Sequence, residues 1–256
     1  MYSEYYNIFG ITNKIIGNTK GATAMNTTAF DIQRDMIISI INGEIKVNQT
    51  LRSERELAEK YHVGRPLIRE VLQKLANSGW ITIRKSQPAI VNDFWKEGNL
   101  LTIIDLVNHF EEIPNEFILY FLEMRAAFTP HYVRDAVKKH YPKVVGLLAE
   151  KDALADDAAS FALFDWRLQK QLASLSHNPI YLLILNSFEP VYIKLATYYF
   201  SIPACREASA NYYESLMEVA LKGDDKKASQ EVSTVMQTSI DLWYEHMSEY
   251  NRTDLE

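Results

Sequence analysis

The stretch from Thr50 to Asn92, TLRSERELAEKYHVGRPLIREVLQKLANSGWITIRKSQPAIVN, constrains the fold of this chain more than any other part. Ser53 is followed three positions later by Glu56, the pairing that closes a helix N-terminus as a capping box. Leu57, Ala58 and Tyr61 form a short apolar stripe, and His62-Val63-Gly64 reads as a turn. A second helix opens near Arg65, with Pro66 in the first turn, where its missing N–H leaves no bond unmade. Ile68, Val71, Leu72 and Leu75 recur at i, i+3, i+4 and i+7, which places them on one buried face. Asn77-Ser78-Gly79 ends that helix. Trp80–Arg84 and Ala89–Val91 read as hairpin strands around the tip Lys85-Ser86-Gln87-Pro88. Upstream, Ile32, Met36, Ile37, Ile40 and Ile41 predict a helix from Thr28, stopped by Asn42-Gly43, and Gly43 to Leu51 reads as an extended link. Helix, helix, helix, hairpin in that order predicts a winged helix-turn-helix over residues 28–92.

The outward face of its third helix has the chemistry of a DNA reader. Arg65 and Arg69 are four apart and Gln73 continues the row, away from the Leu/Val stripe. Arginine binds guanine bidentately in the major groove, and helix-turn-helix proteins place the start of this helix there. Arg55, in the first turn of the preceding helix, is within reach of a phosphate or a base. Lys85, Ser86 and Gln87 at the wing tip suit phosphate or the minor groove. Charges at i and i+4 are equally those of any solvated helix. The capping box, short turn, amphipathic second helix and basic-tipped hairpin together point to double-stranded DNA.

Beyond the wing the chain changes character. Residues 25–95 carry a net charge of +2, whereas everything from Lys96 onward carries −9, within a total of −6. That contrast suits a DNA-binding module joined to a part with another task. Asp93 to Asn99 reads as a linker, and residues 100–248 as an all-helical domain of about seven helices. Its stripes are Leu100–Phe110, Phe117–Val137, Val144–Leu154, Phe161–Leu175, Ile180–Phe200, Ala208–Leu221 and Lys226–Met247. Pro114, Tyr141-Pro142, Asn178-Pro179, Ile202-Pro203 and Gly223-Asp224 separate them. The fold class is therefore mainly α. Residues 1–27 read as a poorly ordered tail. No apolar run reaches 18 residues, so no membrane-spanning helix is expected. A lone cysteine, Cys205, has no partner for an internal disulfide, which points to a reducing cytoplasm. Phosphate-loop, nucleophile-elbow and dinucleotide motifs are absent, and no enzymatic activity is expected.

The runs Leu51–Ala58, Val63–Leu72 and Leu75–Ile81 resemble the GntR family of bacterial transcription regulators. Ile90–Trp95, Asn178–Asn186 and Tyr198-Tyr199-Phe200 resemble its FadR-like, fatty acyl-CoA-responsive subfamily. The resemblance implies DNA contacts from Arg55, Gly64, Arg65, Leu67, Arg69 and the wing tip. Gly64 and Leu67 replace hydroxyl-bearing residues, and the tip departs from the usual His-Gly-Lys-Pro-Thr. Related helical domains often hold a metal through a motif like D-x-x-F-H. Here the matching run is Asp165-Trp166-Arg167-Leu168-Gln169, with glutamine at the histidine position, so no metal is expected and Asp165 reads as a helix-end or hydrogen-bonding residue.

The subfamily implies instead a long-chain acyl-CoA effector at Arg125, Tyr199, Ser239 and Trp243, with Tyr192 in the same aromatic segment. Met236 stands at a glycine-like position, where its side chain reshapes the route of the ligand. Each residue also has a plainer reading. Arg125 is explained by a salt bridge to Glu123, Asp165 or Glu189. The tyrosines are explained by core packing with their hydroxyls at the rim, and Trp243 by core packing. The expected protein is a cytoplasmic homodimer on a palindromic operator, with an effector and no cofactor. The alternatives are a sensor of a small organic acid, and a dimeric interaction or acyl-carrier protein that does not bind DNA.

Overall fold

The computed structural model describes residues 27–109 and 113–253. Except for Thr27, the expected N-terminal tail lies outside them. The chain divides into two compact units, one ending at Ile113 and the other beginning at Pro114.

In the first unit, helix α1 spans Ala29–Ile41 and α2 spans Glu54–Tyr61. Both begin with complete capping boxes. Thr28 and Asp31 bond each other's side chains and backbone amides, as do Ser53 and Glu56. His62 takes a left-handed conformation, φ 54°, to end α2. Helix α3, Arg65–Asn77, follows directly, with Gly64 as its N-cap and Pro66 in its first turn. Ile32, Ile37, Ile68, Val71 and Leu75 are fully buried and join the helices, each burial contributing about 1.5–3 kcal/mol.

Gly79 makes the corner into the wing. Its φ is +78°, and a Cβ there would lie 2.6 Å from the backbone oxygen of Glu97. Strands β1, Ile81–Arg84, and β2, Gln87–Val91, pair antiparallel with a bulge between Thr82 and Arg84. Arg84 pairs with Gln87, which corrects the expected four-residue tip. The turn is Lys85-Ser86, with Ser86 at φ 58°, and Gln87 and Pro88 belong to β2. The expected extended link is also more than a link. Thr50 bridges Ile90, and Leu51 N donates to Ala89 O at 2.8 Å, so the link adds an outer rung to the wing.

A helical turn, α4 (Phe94–Glu97), occupies the expected linker, and α5 runs over Leu100–His109. The Trp80 indole donates to the Asp105 carboxylate at 2.8 Å, and α5 packs on α1. Residues 100–109 thus fall within the first compact unit.

The second unit is all helix among its described residues. Helix α6 covers Asn115–Ala149 as two helical stretches joined across a kink at His140, beside the expected break at Tyr141-Pro142. The missing N–H and ring of Pro142 account for the non-helical backbone at His140, φ −139°. A 3-10 turn, Glu150–Ala153, leads to α7 (Ala158–Leu175), α8 (Pro179–Tyr199), α9 (Pro203–Leu221) and α10 (Asp225–Thr253). Asp157 and Asn178 cap α7 and α8. Helix α6 packs against α7, α9 and α10, and α8 lies along α7. The buried face of α6 is wide because it has neighbours on several sides, with Ile118, Leu122, Val133, Ala136 and Val137 all inside.

Candidate nucleic-acid interface and effector site

Of the expected DNA-contacting residues, Arg55, Arg69, Ser86 and Gln87 line one groove of the winged unit, and Gly64, Arg65, Leu67 and Lys85 do not line it. Gly64 offers α3 no side-chain cap. Arg65 and Arg69 follow on its exposed face. Arg69 Nε lies 2.7 Å from Glu54 on α2, and Arg55 Nε lies 3.8 Å from Glu59. Both arginine side chains are about two-thirds exposed, at 67% and 68%. Such surface pairs are worth at most about 1 kcal/mol, so an incoming phosphate or guanine edge competes readily for either guanidinium. Leu67 is half-buried, which leaves only its outer part to a partner.

A groove of about 600 Å³ opens between the start of α2, the flank of α3 and the wing. Arg52, Arg55, Arg69 and Arg84 line it, with Gln73, Ser86 and Gln87, and Glu54 is the one carboxylate in its lining. Sequence reasoning missed Arg52 and Arg84. Their signal was positional: one precedes the capping Ser53 and the other precedes the turn of the hairpin.

In the helical unit, Arg125 is buried on α6. Its guanidinium pairs with Asp165 on α7 at 3.0 Å, and not with Glu123 or Glu189. Asp165 is not at a helix end: it lies within α7, almost fully buried. It also accepts from Tyr192 at 2.6 Å, Gln169 Nε2 at 3.0 Å and Tyr213 at 3.3 Å. Tyr132 extends the network by donating to Gln169 Oε1 at 2.7 Å. Burial, foremost, works against the Arg125 charge, but Asp165 together with Tyr192, Tyr132 and Tyr213 outweighs it and the guanidinium is held ionised. Burial, foremost, raises the Tyr192 and Tyr213 hydroxyls well above their ordinary range and that of Tyr132 to about 12. These phenols therefore stay protonated, and Tyr192 and Tyr213 act as donors to the carboxylate.

Gln169, at the position where the metal motif has histidine, donates to Asp165. Among the described residues no three His, Cys, Asp or Glu side chains are placed to hold a metal. Tyr132, Gln169 and Tyr213 had not been foreseen as members of one network. The i, i+4 spacing of Asp165 and Gln169 was the only signal of it in the sequence.

The other expected effector residues belong to the same unit and are equally buried. Tyr192 and Tyr199 are 1% and 3% exposed, so their hydroxyls do not reach the rim. Tyr199 faces Trp243 with ring centroids 6.1 Å apart, and its hydroxyl lies towards Ser239 and Cys205. The Trp243 indole donates to Asn115 O and the Ser239 hydroxyl to Val235 O, both at 2.9 Å. Met236 is buried. Burial raises the Cys205 thiol to about 11, which keeps it protonated and unreactive. Beside Arg125 is a crevice of about 20 Å³, walled by Met124, Phe128, Tyr181, Ile184 and Leu185, a space the size of one water. Arg125 Nε and the Tyr212 hydroxyl are buried with no hydrogen-bond partner among the described residues.

A helix-turn-helix with a basic wing, followed in the chain by an all-α unit holding a buried polar network, defines the two-part winged-helix transcription regulators. The comparisons make this specific. Residues 29–91 match the bacterial regulatory proteins of the gntR family, and residues 92–253 match the FadR C-terminal domain. The chain belongs to the GntR family, in its FadR group. It is 33% identical over 211 residues to the fatty acid metabolism regulator protein of Enterobacter sp. (strain 638), and 34% identical to that of Edwardsiella ictaluri. Each alignment covers 82% of this chain and 87% of the relative. The regulator Lar, which controls expression of the Listeria monocytogenes agr system, has a similar fold. That match has a TM-score of 0.58 at 17% identity, covering 87% of this chain and 99% of the other. These families are transcription regulators, not enzymes.

Proposed function

We propose that this protein is a homodimeric regulator of fatty-acid metabolism. Its helical unit binds a long-chain acyl-CoA, and its winged units read a palindromic operator. Arg55, Gly64, Arg65, Leu67 and Arg69 are its DNA-contacting set, with Lys85, Ser86 and Gln87 from the wing. Arg125, Tyr192, Tyr199, Met236, Ser239 and Trp243 form its effector site. A transcription regulator meets its operator in the cytoplasm of a bacterial cell.

The observation that carries the effector assignment is Arg125: a buried cation with Nε unpartnered, beside a wall of Met124, Phe128, Tyr181 and Leu185. A cationic group at the edge of an apolar wall matches a ligand with a polar head and a long hydrocarbon tail. Its entry displaces the internal bonds of Tyr192, Ser239 and Trp243 and moves the helices that carry them. It changes operator affinity only by its differential affinity for the two helix arrangements. Thermal shift with palmitoyl-CoA, oleoyl-CoA and small dicarboxylates tests this. The acyl-CoAs should raise the melting temperature and alter binding to duplex DNA, and no response to either acyl-CoA overturns the assignment.

The water-sized crevice favours a second reading, in which a small organic acid replaces Asp165 at Arg125. A response to dicarboxylates alone selects it.

A further inference from the structure

We propose that the groove between α2, α3 and the wing carries the sugar-phosphate backbone of duplex DNA, with Arg52 and Arg84 as its phosphate-positioning residues. The proposal rests on the DNA-binding reading of the winged unit. It goes beyond that reading by assigning a strand path and two residues outside the expected contact set.

The charge distribution argues for it. Four arginines and one carboxylate line the groove, in a chain whose net charge is −6. Glu54 is matched by Arg69 at 2.7 Å. Neither Arg52 nor Arg84 forms an ion pair among the described residues, and both are exposed. Concentrating positive charge in a concavity is unfavourable unless an anion fills it, and a polyanion does so with release of counterions.

The local structure argues for it too. Arg52 immediately precedes the Ser53 cap, so it is held at the N-terminus of α2, where the helix dipole also favours an anion. Arg84 ends β1 and is fixed by its pairing with Gln87. Ile83, 47% exposed, lines the groove with them and offers an apolar surface to a deoxyribose. Both arginines stand off the recognition helix, on the two flanks of the groove. That placement suits phosphate contacts, which set register, rather than base contacts, which set sequence.

The test is a fluorescence anisotropy titration of the full chain across a range of salt concentrations. The probes are a mixed-sequence duplex and the duplex enriched from it by selection on the wild-type protein. R52A and R84A should each lower the magnitude of the log K against log salt slope by about 0.9. Both duplexes should be affected equally, leaving the preference between them unchanged. R52K and R84K should keep the slope, because phosphate contact requires the charge and not the planar fork. Melting curves of the lysine and alanine variants separate lost contact from lost folding. A wild-type slope in the folded R52A/R84A double variant overturns the assignment, and so does a loss confined to the preferred duplex. If the wild type binds neither duplex, the DNA-binding reading itself falls and takes this proposal with it.

Discussion

The guanidinium of Arg125 lies 3.0 Å from the carboxylate of Asp165, inside the all-helical unit. The same carboxylate accepts hydrogen bonds from Gln169 on α7, Tyr192 on α8 and Tyr213 on α9. One buried anion thus ties together four helices, and its cation stands at the place proposed for the effector's head group.

Breaking this pair from one side leaves a buried charge uncompensated. Asp165→Leu or Arg125→Met alone should destabilise the helical unit by about 3–5 kcal/mol, while the double variant should lose clearly less than the sum, keeping the cost of the acceptor withdrawn from Gln169, Tyr192 and Tyr213. Urea unfolding followed by near-UV circular dichroism reads the difference. Additive losses in the double variant would show that packing, not charge, dominates there.

The recognition helix yields a prediction of opposite signs. Arg65→Ala should weaken binding to the preferred duplex by about 1–3 kcal/mol and relax its sequence preference. Glu54→Gln removes the carboxylate that holds Arg69 and should strengthen binding by up to about 1 kcal/mol. Equal loss from both substitutions, measured by anisotropy, would mean that Glu54 itself contacts the DNA.

Gly79→Ala tests the corner into the wing. A left-handed residue with a Cβ costs about 1–2 kcal/mol, and here the Cβ would also press on the Glu97 oxygen at 2.6 Å. The winged unit should melt at a lower temperature while the helical unit's transition stays in place. An unchanged first transition would refute the close approach.

The two capping boxes give a pH dependence. The Thr28 hydroxyl and amide lower the Asp31 carboxyl from its ordinary 3.8, and those of Ser53 lower Glu56 from its ordinary 4.5. Both groups release their protons more readily when folded. The stability they contribute is complete above these ordinary values and is lost as pH falls through the lowered ones. The melting temperature of the winged unit should therefore drop below about pH 4.5, and Ser53→Ala should flatten that drop. A drop of equal steepness in Ser53→Ala would assign it to other carboxylates.

Met236 tests the effector route. Met236→Ala should cost about 2–5 kcal/mol through the cavity it leaves and should enlarge the melting shift given by palmitoyl-CoA. A smaller shift than in the wild type would place Met236 in contact with the ligand rather than in its way.

What was legible in the sequence depended on how local the cause was. The Ser53–Glu56 capping box, the turn region at His62, the Gly79 corner and the stripe of α3 involve residues within a few positions of one another. Their spacing alone carries the information. The kink at His140 was half legible, since Pro142 marks a disturbance but only the neighbours of α6 decide whether the helix stops or bends. Arg125 was recognisable as a charge in an apolar segment, yet three carboxylates were equally available to it in sequence terms.

By itself, the sequence determined most helix positions, the winged order of elements and the arginine face of α3, because backbone hydrogen bonding and side-chain periodicity act over a few residues. The tertiary structure decided that Asp165 pairs with Arg125, that Gln87 joins β2 rather than the turn, and that α5 packs on α1. It also decided that Arg52 and Arg84 share a groove. Each of these depends on how separate elements cross and register, and that is fixed by the shapes that pack between them and not by spacing along the chain.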